Sequence, residues 1–265
     1  MTTVTLTFDD ALDSHLDRAV PILEARGLRA TFFVPLRTGC LTSRHEEWRR
    51  AAAEGHELGN HTIFHPAVAT KSWVTEGIAL EHYTLDRMRE ELLVANRVLT
   101  MVDGKRERPF AFPCSNPHLG HAGWAERALV HNGLERTRLM DWASRAGLQA
   151  GSRRIDYTPL VREIFPAARC GSSPIAELPR LPRDRHRVVA VQADGASAED
   201  LLAIVDSAVA RDCWLVLVFH AIEPRNGEPN QLACDPIALE RVADRLTRDD
   251  VRVQTFATAA RELLG

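Results

Sequence analysis

Short apolar runs alternate with amphipathic stretches along most of this chain, and that alternation constrains its fold more than any other feature. Residues 4–8 are strand-like. Residues 12–26 then carry Leu12, Leu16, Ala19, Val20 and Leu23 at helical spacing, with Gly27 as a helix stop. Residues 29–35 read as a second, buried strand. Helical patterns return over 44–54 and 80–100, with a strand over 56–60 between them. Later strands are expected at 109–112, 188–192, 213–219 and 251–256, and helices at 120–131, 198–210, 235–247 and 258–264. The stretch 168–187, rich in Pro, Arg and Ser, reads as a surface loop. Strands alternating with helices predict an α/β fold with a parallel sheet. No internal linker separates two cores, so residues 1–265 are expected to form a single domain.

Composition removes several function classes. Thirty-three basic residues against 36 acidic ones leave a net charge of −3, which gives no cation excess for binding nucleic acid. The longest apolar runs, such as 214–219, fall well short of the roughly 20 residues that cross a bilayer, so no membrane partner is expected. The first residues have neither a basic segment nor an apolar core of signal-peptide type, which points to a cytoplasmic protein. Cys40, Cys114, Cys170, Cys213 and Cys234 are scattered and form no CxxC, the pattern of free thiols rather than of a disulfide scaffold or a zinc knuckle.

Three patches place ligating groups just after an apolar run, at the end of the strand where parallel α/β folds build their sites. The first is Thr7-Phe8-Asp9-Asp10. Adjacent carboxylates repel unless a cation or proton lies between them, so one can ligate a metal while the other stays free as a base. Alternatively they form a solvated turn or helix cap, with Asp13 and Ser14 as rival caps. The second patch runs from Gly55 to Pro66 and holds His61 and His65. Four residues apart, the two imidazoles share one side of a helical turn, which Pro66 ends. Two neutral imidazoles and one carboxylate make a three-ligand site with an open position, the pattern of catalytic zinc. Glu57 and Asn60 flank these ligands and are candidates to fix an imidazole tautomer, or else to stabilise a turn. The third patch is Trp214-Leu215-Val216-Leu217-Val218-Phe219-His220, where a histidine ends a buried strand and can exchange a proton near neutral pH. Asp194 follows the strand over 188–192 in a similar position, although Asp194-Gly195 is also a turn signal.

Together, TFDD, GHELGNHTxxH and LVLVFH occur in the order and with the spacing of the polysaccharide deacetylases, the NodB-homology enzymes that remove acetyl groups from sugars. The resemblance runs from Thr5 to the closing strand and helix. It implies a deformed (β/α) barrel of seven strands with one divalent metal at its open end. Asp10, His61 and His65 would bind the metal, Asp9 would be the general base acting on water held by it, and His220 the general acid. Zinc suits two His and one Asp best, and cobalt, nickel and iron accept the same ligands.

The family's next motif carries an arginine and a tyrosine around a proline. Here Pro113 is kept, but Ala111 and Cys114 stand in the arginine and tyrosine positions. A backbone donor survives that change, so the Cys114 N–H is a candidate for the oxyanion hole. Arg136 and Arg138, in a strand-like stretch over 133–138, are candidates to orient Asp9 in place of the missing arginine. The expected activity is metal-dependent removal of an N-acyl group, acetyl foremost, from an amino sugar or a small N-acyl amine. An O-acetyl esterase or deformylase on the same metal, or a carbohydrate-binding pseudoenzyme, are the competing readings. Trp48, Trp73, Trp124, Trp142 and Trp214 are candidates to line a sugar site or to pack in the core.

Overall fold

The computed structural model describes residues 1–120, 154–224 and 232–265. Eight parallel strands carry the architecture: β1 (Thr2–Asp9), β2 (Thr31–Val34), β3 (Glu57–Asn60), β4 (Phe110–Ala111), β5 (Ala168–Ser172), β6 (Val188–Gln192), β7 (Leu215–Phe219) and β8 (Val251–Val253). The first seven pair in sequence order. β7 then returns to β1, with Val4 opposite Leu215 and Phe8 opposite Phe219, and closes a seven-stranded barrel. β8 pairs beside the start of β1, from Thr2 to Val4.

Among the described residues the α-helices are α1 (Val20–Glu24), α2 (Gly39–Ser43), α3 (His45–Ala53), α4 (Leu85–Asp103), α5 (Thr158–Ile164), α6 (Ala198–Arg211), α7 (Pro236–Arg245) and α8 (Phe256–Leu264). Strand alternation divides the apolar side chains between two shells. On β1, β2 and β7, Val4, Leu6, Phe8, Phe32, Val34, Leu215, Leu217 and Phe219 join the cluster beneath the outer helices. The intervening Phe33, Val216 and Val218 pack in a separate cluster with Ala111, Val188 and Ala190, which is the filling of the barrel. Phe256 of α8 packs against Phe33 and Trp214 and stoppers one end. By the same alternation Thr5, Thr7 and Asp9 turn inward, so β1 delivers a carboxylate to the opposite end. Gly59 on β3 is required by close approach, because a Cβ there would lie 2.4 Å from the Phe33 ring.

Several elements depart from the sequence expectation. The helix expected over 12–26 is a π-helical turn, His15–Ala19, running into α1. The last strand stops at Val253, and Phe256 already belongs to α8. The segment read as a loop over 168–187 begins with β5, a full member of the barrel. Its sequence, Ala-Arg-Cys-Gly-Ser, lacks the branched and aromatic residues that advertise a strand. Almost all of the helix expected over 120–131 lies outside the described residues, as do Trp124 and Trp142.

Candidate active site

The chain turns sharply where the strands end. Asp10, Ala11, Thr62, His65, Cys114 and Ser115 all have left-handed backbones, with φ between 47° and 77°. Such conformations cost non-glycine residues on the order of 1–3 kcal/mol each, and they gather at this one mouth of the barrel. The turn at Asp10 lets two consecutive aspartates serve one site: Asp9 is the last residue of β1, and Asp10, at φ 77°, swings in behind it. His61 and His65 are likewise brought together by a loop with two left-handed residues, Thr62 and His65, rather than by the helical turn their spacing suggested.

Nε2 of His65 lies 3.5 Å from Oδ1 of Asp10, and Nε2 of His61 lies 3.9 Å from the same oxygen. One ligand atom from each of the three residues falls within 4.8 Å of the others. Ligands about 2.0–2.1 Å from a tetrahedral ion stand roughly 3.3 Å apart, so this donor set fits a divalent cation after a small contraction. Burial pushes both imidazoles down to about 4, leaving them unprotonated and free to ligate at neutral pH. His61 donates its Nδ1–H to the Ala111 carbonyl (2.8 Å), which leaves Nε2 as the ligating atom.

Asp9 is buried and sits beside the cluster, its Oδ2 3.9 Å from Nε2 of His61. Burial alone would raise its pKa. The guanidinium of Arg169, hydrogen-bonded to Oδ2, outweighs that penalty with help from His61 and His220, and holds Asp9 at about 2. Oδ1 of Asp9 has no hydrogen-bond partner among the described residues. Asp10, buried against Asp9, is pushed up instead, and an adjacent cation would relieve it.

His220 leaves the end of β7 and donates Nδ1–H to Oδ2 of Asp194 (2.6 Å), while its backbone N–H donates to Oδ1 (2.9 Å). Burial disfavours its charged form. The bond to Asp194 and the nearby Asp9 and Asp10 reverse that effect and raise His220 to about 9. The Asp194 carboxylate, which reads in the sequence either as a site position or as a turn signal, thus keeps this imidazole protonated at neutral pH.

Cys114 lines the cavity in a left-handed conformation, and its amide has no backbone partner among the described residues. Asn60 does not touch an imidazole; its Oδ1 accepts the Thr62 N–H (2.7 Å) and its Nδ2 donates to Leu92 O and Asn96 Oδ1. Glu57 sits at the opposite end of β3, where its Oε2 accepts from Thr31 and from the Ala257 N–H at the start of α8. It braces the barrel floor rather than a ligand. Arg136 and Arg138 lie outside the described residues, and the guanidinium that meets Asp9 comes from Arg169 on β5. Trp48 and Trp214 are core residues, whereas Trp73 stands at the mouth against His65.

Sequence reasoning missed two further groups. Arg169 was hidden in a stretch that resembles solvated loop; its only trace is the alternation Ala168-Arg169-Cys170 shortly after a helix. Glu91 of α4 is buried and accepts the Ile63 and Phe64 N–H groups (3.1 and 2.9 Å), holding the loop between the two histidines. The site opens into a cavity of about 500 Å³, whose wall includes Asp9, Asp10, His61, His65, Arg169 and His220. The arrangement sets an ionised carboxylate, a protonated imidazole and a cluster able to hold a cation around one opening.

Residues 1–121 match the family model described as polysaccharide deacetylase. A curated relative, the peptidoglycan-N-acetylmuramic acid deacetylase PdaA of Bacillus subtilis (strain 168), is 27% identical over 113 residues, 42% of this chain and 37% of the relative. The match thus spans little more than a third of that protein. The solved structure of Bacillus subtilis PdaA, a family 4 carbohydrate esterase, superposes with a TM-score of 0.53 at 13% identity, over 98% of this chain and 81% of that one. A family 4 acetyl xylan esterase from Clostridium thermocellum, solved with a cobalt ion, gives 0.52 at 16% identity, over 98% and 91%. At such identities these two likenesses speak for the fold. The family match covers a little under half of the chain, and it spans the strand that ends in the aspartate pair and the loop that holds both histidines; over those residues, and in the barrel around them, the chain is similar to the polysaccharide deacetylases.

Proposed function

We propose that this protein is a metal-dependent hydrolase that removes an N-acyl group, acetyl foremost, from an amino sugar or a small N-acyl amine. The observation that carries the reading is the buried, unpartnered Oδ1 of Asp9, beside three converging ligands and opposite a protonated histidine. Asp10, His61 and His65 would hold the ion, with zinc favoured by two imidazoles and one carboxylate. A divalent ion there supplies Lewis-acid polarisation of the acyl carbonyl and makes a water acidic enough to react.

The protein's own groups supply the rest. Arg169 holds Asp9 ionised and fixes one of its oxygens, so Oδ1 is left to take a proton from water. The Cys114 N–H is positioned to donate to the developing oxyanion. An amine leaves poorly unless protonated, and His220, kept charged by Asp194, has that proton to give. An alcohol needs this help less, so the raised His220 favours amide over ester cleavage. Two further facts support the reading: the relative named above is a deacetylase of an amino sugar, and all five cysteines are free, which suits a reducing compartment such as the cytoplasm. Among the described residues no helix is long and apolar enough to cross a membrane.

The test is release of acetate and free amine from soluble N-acetyl sugars and from N-acetylated polymer. Chelation should abolish turnover and zinc should restore it. Undiminished hydrolysis in metal-stripped protein, or none with zinc bound, defeats the proposal.

A further inference from the structure

The cavity wall holds more positive charge than the chemistry above uses. Asp9 and Asp10 are the two carboxylates among its described lining residues. Arg169 neutralises the first, and a bound dication more than neutralises the second. Arg37 and Lys71 also line the cavity, and neither has a carboxylate within ion-pair distance among the described residues. Both are solvent-exposed at the mouth. Arg37 is held in place, since it donates Nη1–H to the Phe64 carbonyl (3.0 Å) and lies 5.7 Å from the centroid of the Trp73 ring. That ring in turn packs 5.4 Å from His65, so cation, aromatic face and candidate ligand form one continuous wall. Lys71 approaches from the side of Cys114, where its charge acts on the thiol. A concave mouth lined by like charges without carboxylate partners concentrates anions, most strongly at low salt.

Resting on the hydrolase reading for the acyl amine itself, we propose that this mouth selects N-acyl amino sugars carrying an anionic substituent, a carboxylate or a phosphate, through Arg37 and Lys71. Trp73 offers the sugar an apolar face beside the cation. Arg37 suits either anion by bidentate hydrogen bonding, while Lys71 adds a point charge.

The experiment compares N-acetylglucosamine with its 1-phosphate, its 6-phosphate and its 3-O-lactyl acid on the zinc-loaded protein. Binding is followed by titration calorimetry and turnover by acetate release. At least one anionic sugar should bind about tenfold or more tighter than the neutral one at low salt, with the advantage shrinking at about 0.5 M salt. Whether the phosphates or the lactyl acid lead identifies the anion. Lys71→Gln and Arg37→Gln should each reduce the preference, and Arg37→Lys should restore part of it. Lys71 is exposed, and urea unfolding of each variant separates lost affinity from lost folding.

Equal affinity for neutral and anionic sugars overturns the proposal. So does a preference that survives loss of both side chains, since the ion itself would then be reading the anion. Equal turnover of all four sugars strikes the selectivity and leaves the hydrolase standing. Tight, rim-dependent anion binding without acetate release does the reverse: it strikes the hydrolase and leaves the anion-reading mouth.

Discussion

The Asp9–Arg169 pair shows how a buried charge is made safe and useful at once. Both side chains are almost fully inaccessible, so their separate desolvation costs are large and only their contact offsets them. Removing one partner should therefore hurt more than removing both. Arg169→Met is expected to lower the stability of the metal-free protein by about 3 kcal/mol, and Asp9→Asn in that background to return part of the loss. Urea unfolding of the two single variants and the double variant gives the coupling; additive losses would mean the pair does not act as a unit. At the other side of the site, Asp194→Asn removes the carboxylate charge that, with the nearby Asp9 and Asp10, lifts His220 to about 9. If His220 is the acid, as proposed, it must be protonated to act, and activity is lost as pH rises through its pKa. In the variant that alkaline limb should move down toward the ordinary histidine value of about 6.5. The direction of the shift carries the test, because a bound dication lowers both limbs together. A pH profile of kcat/KM with an unmoved limb removes His220 from the acid's role.

Among the elements, α4 is the one that makes the histidine loop rigid. Glu91 collects two amide N–H groups from between the ligands, and Asn60 braces the same loop from its β3 end through Thr62 and the backbone of α4. Glu91→Leu should weaken zinc binding about 10–100-fold in competition with a chromophoric chelator, with Glu91→Gln retaining much of the affinity. Equal affinity in Glu91→Leu would show that the loop holds its shape unaided. Asn60 was legible as a possible turn brace, but Glu91 was not, because a long-range hydrogen bond from a helix to a loop leaves no periodicity. The three residues of the cluster were legible: Asp10 follows the apolar run of β1, and the spacing of His61 and His65 with their flanking glycines completes the motif that the resemblance rests on. β5 was not: Ala168, Arg169 and Cys170 form a strand because β4 and β6 leave an opening of one strand's width, and that is a demand of the closed barrel rather than of local propensity. The irregular register between Arg169 and Ser172 is equally a tertiary feature, and bulges of this kind re-aim a neighbouring side chain into a site. Closure itself, β1 against β7, joins residues more than two hundred positions apart, and only the family resemblance implied it.

Taken as a whole, the barrel balances two opposed proton linkages. His15 and His56 are buried as neutral rings, each accepting a backbone N–H at Nδ1: His15 from Leu12 (3.3 Å) and His56 from Ala30 (3.1 Å). Protonation would turn each acceptor into a donor facing a donor. Burial accordingly pushes both down to about 4. The unfolded chain takes up these protons near pH 6.5 and the folded chain only near 4, so in that window the unfolded state binds more protons. Stability contributed by these rings is full above pH 6.5 and lost as pH falls toward 4, by about 3 kcal/mol for each. His220 acts in the opposite sense. Raised to about 9, it contributes stability below pH 6.5 that is lost as pH rises through 9. The histidines therefore place the stability maximum of the metal-free protein near pH 6.5, with decline on both sides. His56→Asn isolates one limb, because its amide oxygen can still accept the Ala30 N–H yet cannot take a proton. The variant should be less stable than the parent at pH 7, with the gap narrowing by pH 5 in urea unfolding. A gap that stays constant between those pH values would mean His56 is not held neutral by the fold.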